Sequence, residues 1–132
     1  MSHSAWTARS PEDRGERGQP AAPTPEDLLE QVARGSEAAF ERLYDVVAGP
    51  VFGVVRQVVR DGAQSEEVAQ EVLVELWRTA GRYDRARGGA LSWALMMAHR
   101  RAVDRVRSAQ ARTDREDRVV AMSMERTYDE VS

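Results

Sequence analysis

Residues 65–78 constrain the fold most, because their apolar and acidic side chains recur on two separate faces of a helix. The apolar set recurs at spacings of three and four and consists of Val68, Ala69, Val72, Leu73 and Leu76. The acidic row recurs every four residues and consists of Glu67, Glu71 and Glu75. This period predicts a helix with one face in a core and another facing water or a partner.

Two helices are predicted upstream from their capping residues. Thr24 suits an N-cap, Pro25 suits the first helical position, and Asp27 lies where the acid of a capping box belongs. Gly35 should stop this helix, and Ser36 should cap the next one. The core faces of the two helices are predicted to hold Leu28, Leu29 and Val32, then Phe40, Leu43, Tyr44 and Val47.

The dipeptide Gly49-Pro50 predicts a break or kink in the second helix. The valine-rich run after it, 51–59, has the β-branched composition of a strand. Its position favours a helix, because Pro50 suits a helix start and both neighbouring segments are helical. Asp61-Gly62 should end this segment.

The last helix is predicted over about 90–111, after a glycine- and arginine-rich loop at 78–89. Its apolar side is expected to hold Leu91, Leu95, Ala98, Ala102 and Val106. Residues 113–132 indicate a linker or a weak extra helix, and residues 1–23 have the composition of a disordered tail. The fold class is therefore all-α, a compact domain of four to five helices.

The net charge of −3 conceals a strong local polarity. Residues 61–77 carry five acids and no base, whereas residues 78–118 carry eleven arginines against five acids. Asymmetry of this kind fits two partners of opposite charge, but it also fits a set of solvated helix faces. Like charges four residues apart destabilise a helix, so a basic surface against the acidic row would offset that effect.

The composition argues against an enzyme. The chain has no Cys, only two His (His3 and His99), and neither a phosphate-binding glycine loop nor a nucleophile elbow. No His accompanies the acidic row as in a di-iron helical bundle, so we expect no metal and no cofactor. Without an apolar run of about 18 residues or a signal-peptide core, the chain is expected to be cytoplasmic.

The arginine-rich segment points to nucleic acid. Tyr83 and Trp93 flank the loop, and the following helix carries Arg100, Arg101 and Arg105. Aromatic rings interleaved with arginines suit single-stranded nucleic acid, because rings take unstacked bases while guanidinium groups neutralise phosphates. The alternative is that Trp93 belongs to the core, and we expect it to do so at least in part.

Two long motifs resemble region 2 of sigma-70-type sigma factors. EEVAQEVLVELW (66–77) is similar to the acidic signature helix, and WALMMAHRRAVDRVR (93–107) is similar to the promoter-melting and −10 helix. Their spacing, the loop YDRARGG (83–89) and the upstream AFERLY (39–44) resemble the extracytoplasmic-function group, and within it the sigma-K-like members. The resemblance covers about residues 26–112.

The resemblance implies two binding surfaces. The acidic helix would dock on the clamp helices of the polymerase β′ subunit through Glu66, Glu67, Gln70 and Glu71. The loop and the last helix would hold the non-template strand of the promoter −10 element, with one base flipped into a pocket beside the loop. The implied DNA-binding residues are Tyr83, Asp84, Arg85 and Arg87 in the loop, Met96, Arg100 and Asp104 for base reading, and Arg101 and Arg105 for phosphates.

Two positions depart from the family pattern. Many members carry Asn where this chain has Arg100, so its preferred −10 base is expected to differ. Gly88-Gly89 stands where Gly-Ser is more usual, which predicts the loss of a helix cap and a looser loop.

The resemblance also sets the expected domain organisation. Residues 24–112 would be the region 2 domain, and 113–132 a linker toward a helix-turn-helix domain beyond Ser132, so the chain would be a fragment of a longer protein. We expect a nucleoid-associated transcription-initiation module with polymerase, promoter DNA and an anti-sigma factor as partners. The alternatives are a binding-only module that sequesters an anti-sigma factor or the clamp, and an unrelated repressor of duplex DNA.

Overall fold

The computed structural model describes residues 21–131, and all regular structure in this range is helical. Helix α1 is Pro25–Ala33, α2 is Glu37–Val59, α3 is Gly62–Thr79 and α4 is Ala90–Val131. Two short 3₁₀ turns, Ala80–Arg82 and Arg85–Arg87, lie between α3 and α4. The predicted all-α fold class is confirmed, while the predicted disordered tail lies outside the described residues apart from its last three.

Local capping chemistry sets the starts of α1 and α2 as predicted. Thr24 accepts a hydrogen bond from the Asp27 amide at 3.1 Å, and the Asp27 carboxylate accepts one from the Thr24 amide at 3.1 Å. Ser36 caps α2 by accepting from the amide of Ala39. Between them Gly35 has a φ of +93°, a conformation that glycine adopts without the steric cost of a side chain. The capping box and both caps are confirmed.

Helix α2 passes through Gly49-Pro50 without interruption, so of the predicted break or kink the break is wrong and the kink stays a prediction. Proline lacks an amide hydrogen, and the carbonyl of Val46 therefore loses its donor four residues later. Val46 is exposed, so water can hydrate that carbonyl. The buried face of α2 continues past the proline through Val51 and Val55, which links both halves to one core.

Helix α3 begins at Gly62, three residues earlier than predicted. The carboxylate of Asp61 accepts a hydrogen bond from the amide of Gln64 at 2.8 Å and caps the helix. Helix α2 has already ended at Val59, where Arg60 takes a left-handed conformation with a φ of 67°. Asp61 thus starts α3, whereas the sequence pattern assigned it to the end of the preceding helix.

Helix α4 continues to Val131, so its predicted end near residue 111 is wrong. Its buried face also differs from the prediction, because Leu91 and Val106 are exposed. The fully or nearly buried residues of α4 are Ala90, Ala94, Met97, Ala98 and Ala102. An alanine face lets the α4 backbone approach its neighbours closely, since the distance between packed helices depends on the side chains at the contact.

Helix α2 lies at the centre and packs against the other three helices. The core combines branched aliphatic residues of α1, α2 and α3 with the alanine face of α4. Trp93 and Tyr83 are partly buried against this core, as the sequence predicts for Trp93. None of the helices between residues 21 and 131 combines the length and apolar character that crossing a membrane requires.

We predict that Ala98→Leu lowers the free energy of unfolding by about 1–3 kcal/mol, because the fully buried site has no room for three more carbon atoms. Ala111→Leu, at an exposed position of the same helix, is the matched control and should change it by less than about 0.5 kcal/mol. Urea unfolding followed by circular dichroism measures both variants. Equal stabilities would contradict the close packing of α4.

Candidate functional site

Helices α3 and α4 are joined along one side by a network of ion pairs. Glu75 contacts Arg100 at 2.6 Å and Arg101 at 2.5 Å. Glu71 contacts Arg101 at 3.1 Å and Arg105 at 2.5 Å. Glu67 completes the row with a longer contact to Arg105 at 3.6 Å. Each of the three acids therefore pairs with at least one arginine of α4, and Glu71 and Glu75 pair with two each.

The acidic row, predicted to face water or a partner, also forms ion pairs within the chain. The basic surface that offsets the repulsion among the acids is supplied by α4 of the same chain. Glu75 is the most enclosed member, with its side chain 16% exposed and shared by two guanidinium groups. Hydrogen bonds between charged groups in such partly enclosed positions are shorter and stronger than neutral ones.

The outward-facing side of α3 remains open. We define the outer face of α3 as Glu66, Gln70, Val74 and Trp77, which recur at spacings of four, four and three residues. All four are exposed. The Trp77 ring lies edge-on to Phe40 of α2, with 5.2 Å between centroids, so the ring is held in place while one side stays accessible. Ordered, exposed aromatic and aliphatic groups beside polar ones are typical of protein interfaces.

A cleft of about 420 Å³ opens beside the loop between α3 and α4. Its lining consists of Arg82, Tyr83, Asp84, Arg87, Gly88, Gly89, Ser92, Trp93 and Met96. The rings of Tyr83 and Trp93 lie 5.5 Å apart at an angle of 51°. The Tyr83 hydroxyl donates a hydrogen bond to the carbonyl of Gly88 at 2.8 Å, which ties the two ends of the loop together.

Arg85 departs from the role expected for the loop. It does not line the cleft; its guanidinium group turns to α1 and contacts Asp27 and Glu30, each at 2.7 Å. These hydrogen bonds, first that of Asp27 and then that of Glu30, hold the pKa of Arg85 above its ordinary value. The pKa of Asp27 is lowered, chiefly by the hydrogen bond from Arg85 and next by the backbone amide of Thr24.

The start of α4 is also held by α1. The carboxylate of Glu26 accepts a hydrogen bond from the amide of Ala90, the first residue of α4, at 2.8 Å. Gly89 has no side chain that could cap this helix, as the sequence predicts, and the Glu26 carboxylate satisfies the amide of Ala90 in its place. A carboxylate from a helix distant in sequence supplies an acceptor where the local sequence lacks one.

A second groove, the arginine groove, follows α4 beyond the cleft. It is lined by Glu71, Glu75, Arg100, Arg101, Asp104, Arg105 and Ser108. Met96, Arg100 and Asp104 lie four residues apart on the exposed side of α4, in line with the cleft. The predicted DNA-binding residues thus divide into a cleft group, a groove group and Arg85, which joins neither.

Five residues of the cleft were not among the predicted site residues: Arg82, Gly88, Gly89, Ser92 and Trp93. Arg82 and Trp93 belong to the arginine and aromatic residues whose composition predicts nucleic-acid binding, whereas no sequence pattern marks Ser92. Glu26 was missed because no local pattern links it to Ala90, 64 residues away. Within residues 21–131 no group of three His, Asp or Glu side chains is arranged to hold a metal ion, and His99 is exposed.

We predict that Glu75→Gln destabilises the fold by about 1–2 kcal/mol, because it removes the charge shared by Arg100 and Arg101. Glu66→Gln, on the outer face of the same helix and without an ion pair there, is the control and should stay within about 0.5 kcal/mol. Thermal and urea unfolding measure the difference. A loss for Glu75→Gln that does not shrink at high salt would argue against an ionic origin.

An all-α domain that carries an aromatic cleft, a neighbouring arginine groove and a separate exposed helix face has the features of a helical nucleic-acid-binding module. The family model of Sigma-70 region 2 matches residues 43–112. The chain belongs to this family, and the resemblance seen in the sequence is confirmed.

The chain is also similar to two curated proteins. The chain is 49% identical over 105 residues to an ECF RNA polymerase sigma factor SigK of Mycobacterium ulcerans (strain Agy99), an alignment that covers 80% of this chain and 56% of the relative. It is 48% identical over 105 residues to the SigK protein of Mycolicibacterium vanbaalenii, covering 80% and 54%. The chain thus spans about half the length of these relatives. The family agrees with the prediction that the chain is not an enzyme.

Proposed function

We propose that this chain acts in transcription initiation as the sigma-factor domain that binds the core RNA polymerase and holds the melted −10 element of a promoter. The observation that carries the proposal is the aromatic cleft beside Arg82 and Arg87, which continues into the exposed side of α4. Family membership supports the same role. The distinct outer face of α3 leaves room for a protein partner to bind at the same time.

The polymerase contact is assigned to α3. Glu66, Glu67 and Gln70 are exposed and adjoin the apolar groups of Val74 and Trp77. The side chain of Glu67 is 65% exposed despite its contact with Arg105, so it is accessible to an arginine or lysine of the β′ clamp. Glu71 is less exposed than Glu67 and forms two ion pairs with α4. It would therefore lie at the edge of the polymerase contact and also stabilise the packing of α3 on α4.

The cleft is assigned to one unstacked base of the non-template strand. Its volume falls within the range of small-molecule pockets, and two rings supply faces for stacking. Flipping a base costs a few kcal/mol of unstacking, and stacking on an aromatic ring recovers about 1–3 kcal/mol per base. Hydrogen-bonding groups of Asp84 and the loop backbone at the cleft would then distinguish one base from another.

The phosphate contacts fall into two classes. Arg87 is 89% exposed and has only a 4.0 Å contact with Asp84, so it can meet a phosphate without giving up a strong partner. Arg101 and Arg105 are paired with carboxylates, and phosphate binding there requires them to share or exchange those partners. Arg100 keeps 63% exposure while paired and stands between Met96 and Asp104 on the base-reading side of α4.

The remaining partners and the location follow from this role. A module that joins polymerase to promoter DNA acts in the cytoplasm at the nucleoid. An anti-sigma factor would inhibit it most simply by covering the outer face of α3 or the cleft.

We predict that the double change Glu67→Ala and Gln70→Ala weakens binding to a β′ clamp fragment by about tenfold, because two exposed polar contacts are lost. The matched control is Glu41→Ala with Asp45→Ala, at two exposed positions of α2. Biolayer interferometry with the full chain measures both. Unchanged affinity of the first variant would remove the clamp from the proposed function.

We predict that two single changes separate base reading from phosphate binding. Met96→Ala, at a position 68% exposed, should reduce the preference for a single-stranded −10 oligonucleotide over a scrambled one. Arg87→Ala should weaken binding to both oligonucleotides alike and lower the salt slope by about one. Fluorescence anisotropy over a salt series, with core polymerase present, measures these effects. No preference by the unsubstituted chain would favour the binding-only alternative.

A further inference from the structure

Helix α1 lies before the stretch matched by the family model, yet it contacts the cleft-forming loop through three carboxylates. They belong to Glu26, Asp27 and Glu30, which occupy the first turns of the helix. Their partners are the start of α4 and the second 3₁₀ turn of the loop, 55 to 64 residues later. Helix α1, which lines neither the cleft nor the arginine groove, is thus hydrogen-bonded to the loop and to the start of α4, which form the cleft.

The first attachment is at Ala90, where the loop becomes α4. Glu26 accepts the hydrogen bond of the Ala90 amide at 2.8 Å, and a β-carbon placed on Gly89 would lie 3.5 Å from the same carboxylate. The first amides of a helix have no partner within the helix and attract negative charge. Glu26 therefore fixes where α4 begins, and with it the positions of Ser92, Trp93 and Met96 along the cleft.

The second attachment is Arg85. Its Nε donates to Glu30 at 3.0 Å, and its terminal nitrogen donates to both Glu30 and Asp27 at 2.7 Å. Arginine paired in this forked way has little orientational freedom. Asp84 precedes this 3₁₀ turn and Arg87 ends it, and both line the cleft, so the fork sets where these two side chains stand.

A third observation places the α1 carboxylates close enough to act on the cleft itself. Loss of hydration raises the pKa of the Tyr83 hydroxyl, and the negative charge of Glu26 raises it further. The Tyr83 hydroxyl, which donates to the carbonyl of Gly88 and so ties the loop ends together, thus lies within the electrostatic influence of α1.

We propose that α1 is a positioning element for the cleft, in which Glu26 sets the start of α4 and the Glu30–Arg85 fork sets the loop. Neither residue needs to touch DNA for this role, and Arg85 acts as a positioning residue here. The inference rests on the proposed function for its effect on base selection. Its structural part concerns the free chain and can be tested without any ligand.

The test uses the full chain in four forms: unsubstituted, Glu26→Ala, Glu30→Ala, and Glu41→Ala as the control on exposed α2. Amide hydrogen exchange by NMR reads the free chain. We expect Glu26→Ala to speed exchange of the Ala90 amide by about tenfold, as loss of one capping bond of typical strength would do, with no change at the α2 amides. Unchanged exchange at Ala90 would overturn the role of Glu26.

The second readout is the ratio of affinities for the −10 and scrambled single strands, with polymerase present. At a temperature where every variant is fully folded, Glu26→Ala and Glu30→Ala should each reduce this ratio by about fivefold to tenfold, while clamp affinity stays near that of Glu41→Ala. A faster Ala90 exchange with an unchanged ratio would overturn the positioning role. No preference by the unsubstituted chain would instead overturn the proposed function.

A rescue variant separates positioning from a general loss of charge. Gly89→Ser places a hydroxyl at the N-cap of α4, where it can accept from the amides of Leu91 or Ser92, and the site has room for the added atoms. Combined with Glu26→Ala, it should restore the affinity ratio but not the protection of the Ala90 amide. If the ratio stays low, Glu26 acts through its charge and the positioning role is wrong.

Discussion

Ion pairs between α3 and α4 set how these two helices face each other. Helix α4 offers mostly alanine to the core, so burial alone gives it little side-chain area to specify its rotation about its own axis. The pairs of Glu71 and Glu75 with three arginines supply that specification. They turn the outer face of α3 to one side and the cleft and arginine groove to another. The two surfaces therefore do not overlap on this small domain.

Local chemistry explains which parts of the fold could be predicted. Caps at Thr24 and Ser36 act within four residues, and the apolar period of α3 reports its buried face, so both are visible in the sequence. The continuity of α2 through Pro50 could not be predicted from local sequence, because it depends on tertiary packing. Buried valines on both sides of Pro50 outweigh the one missing hydrogen bond. The length of α4 was missed for a different reason: charged residues dominate 112–118, and the apolar residues that recur after them at spacings of four, four and three (Val120, Met124, Tyr128 and Val131) stay exposed.

The site shows the same division. The composition of the loop and of α4 predicted an aromatic and arginine-rich surface, and Tyr83, Asp84, Arg87 and Met96 do meet at one cleft. The ion-pair partners of Arg85, Arg101 and Arg105 could not be predicted from the sequence, because they lie 26 to 58 residues away. No local pattern indicates which acid an arginine will pair with. Sequence gives the type of charge at a surface, whereas only the packed helices show which charges are already paired.

Photocrosslinking would show whether the two faces of this chain contact two different partners. A benzoyl-phenylalanine at Val74, on the outer face of α3, and another at Met96, at the cleft, would be placed singly in the full chain bound to core polymerase and a promoter fragment. We expect Val74 to crosslink to the β′ clamp helices and Met96 to crosslink to the non-template strand of the −10 element. Crosslinking of both positions to the same partner, or of Val74 to DNA, would contradict it.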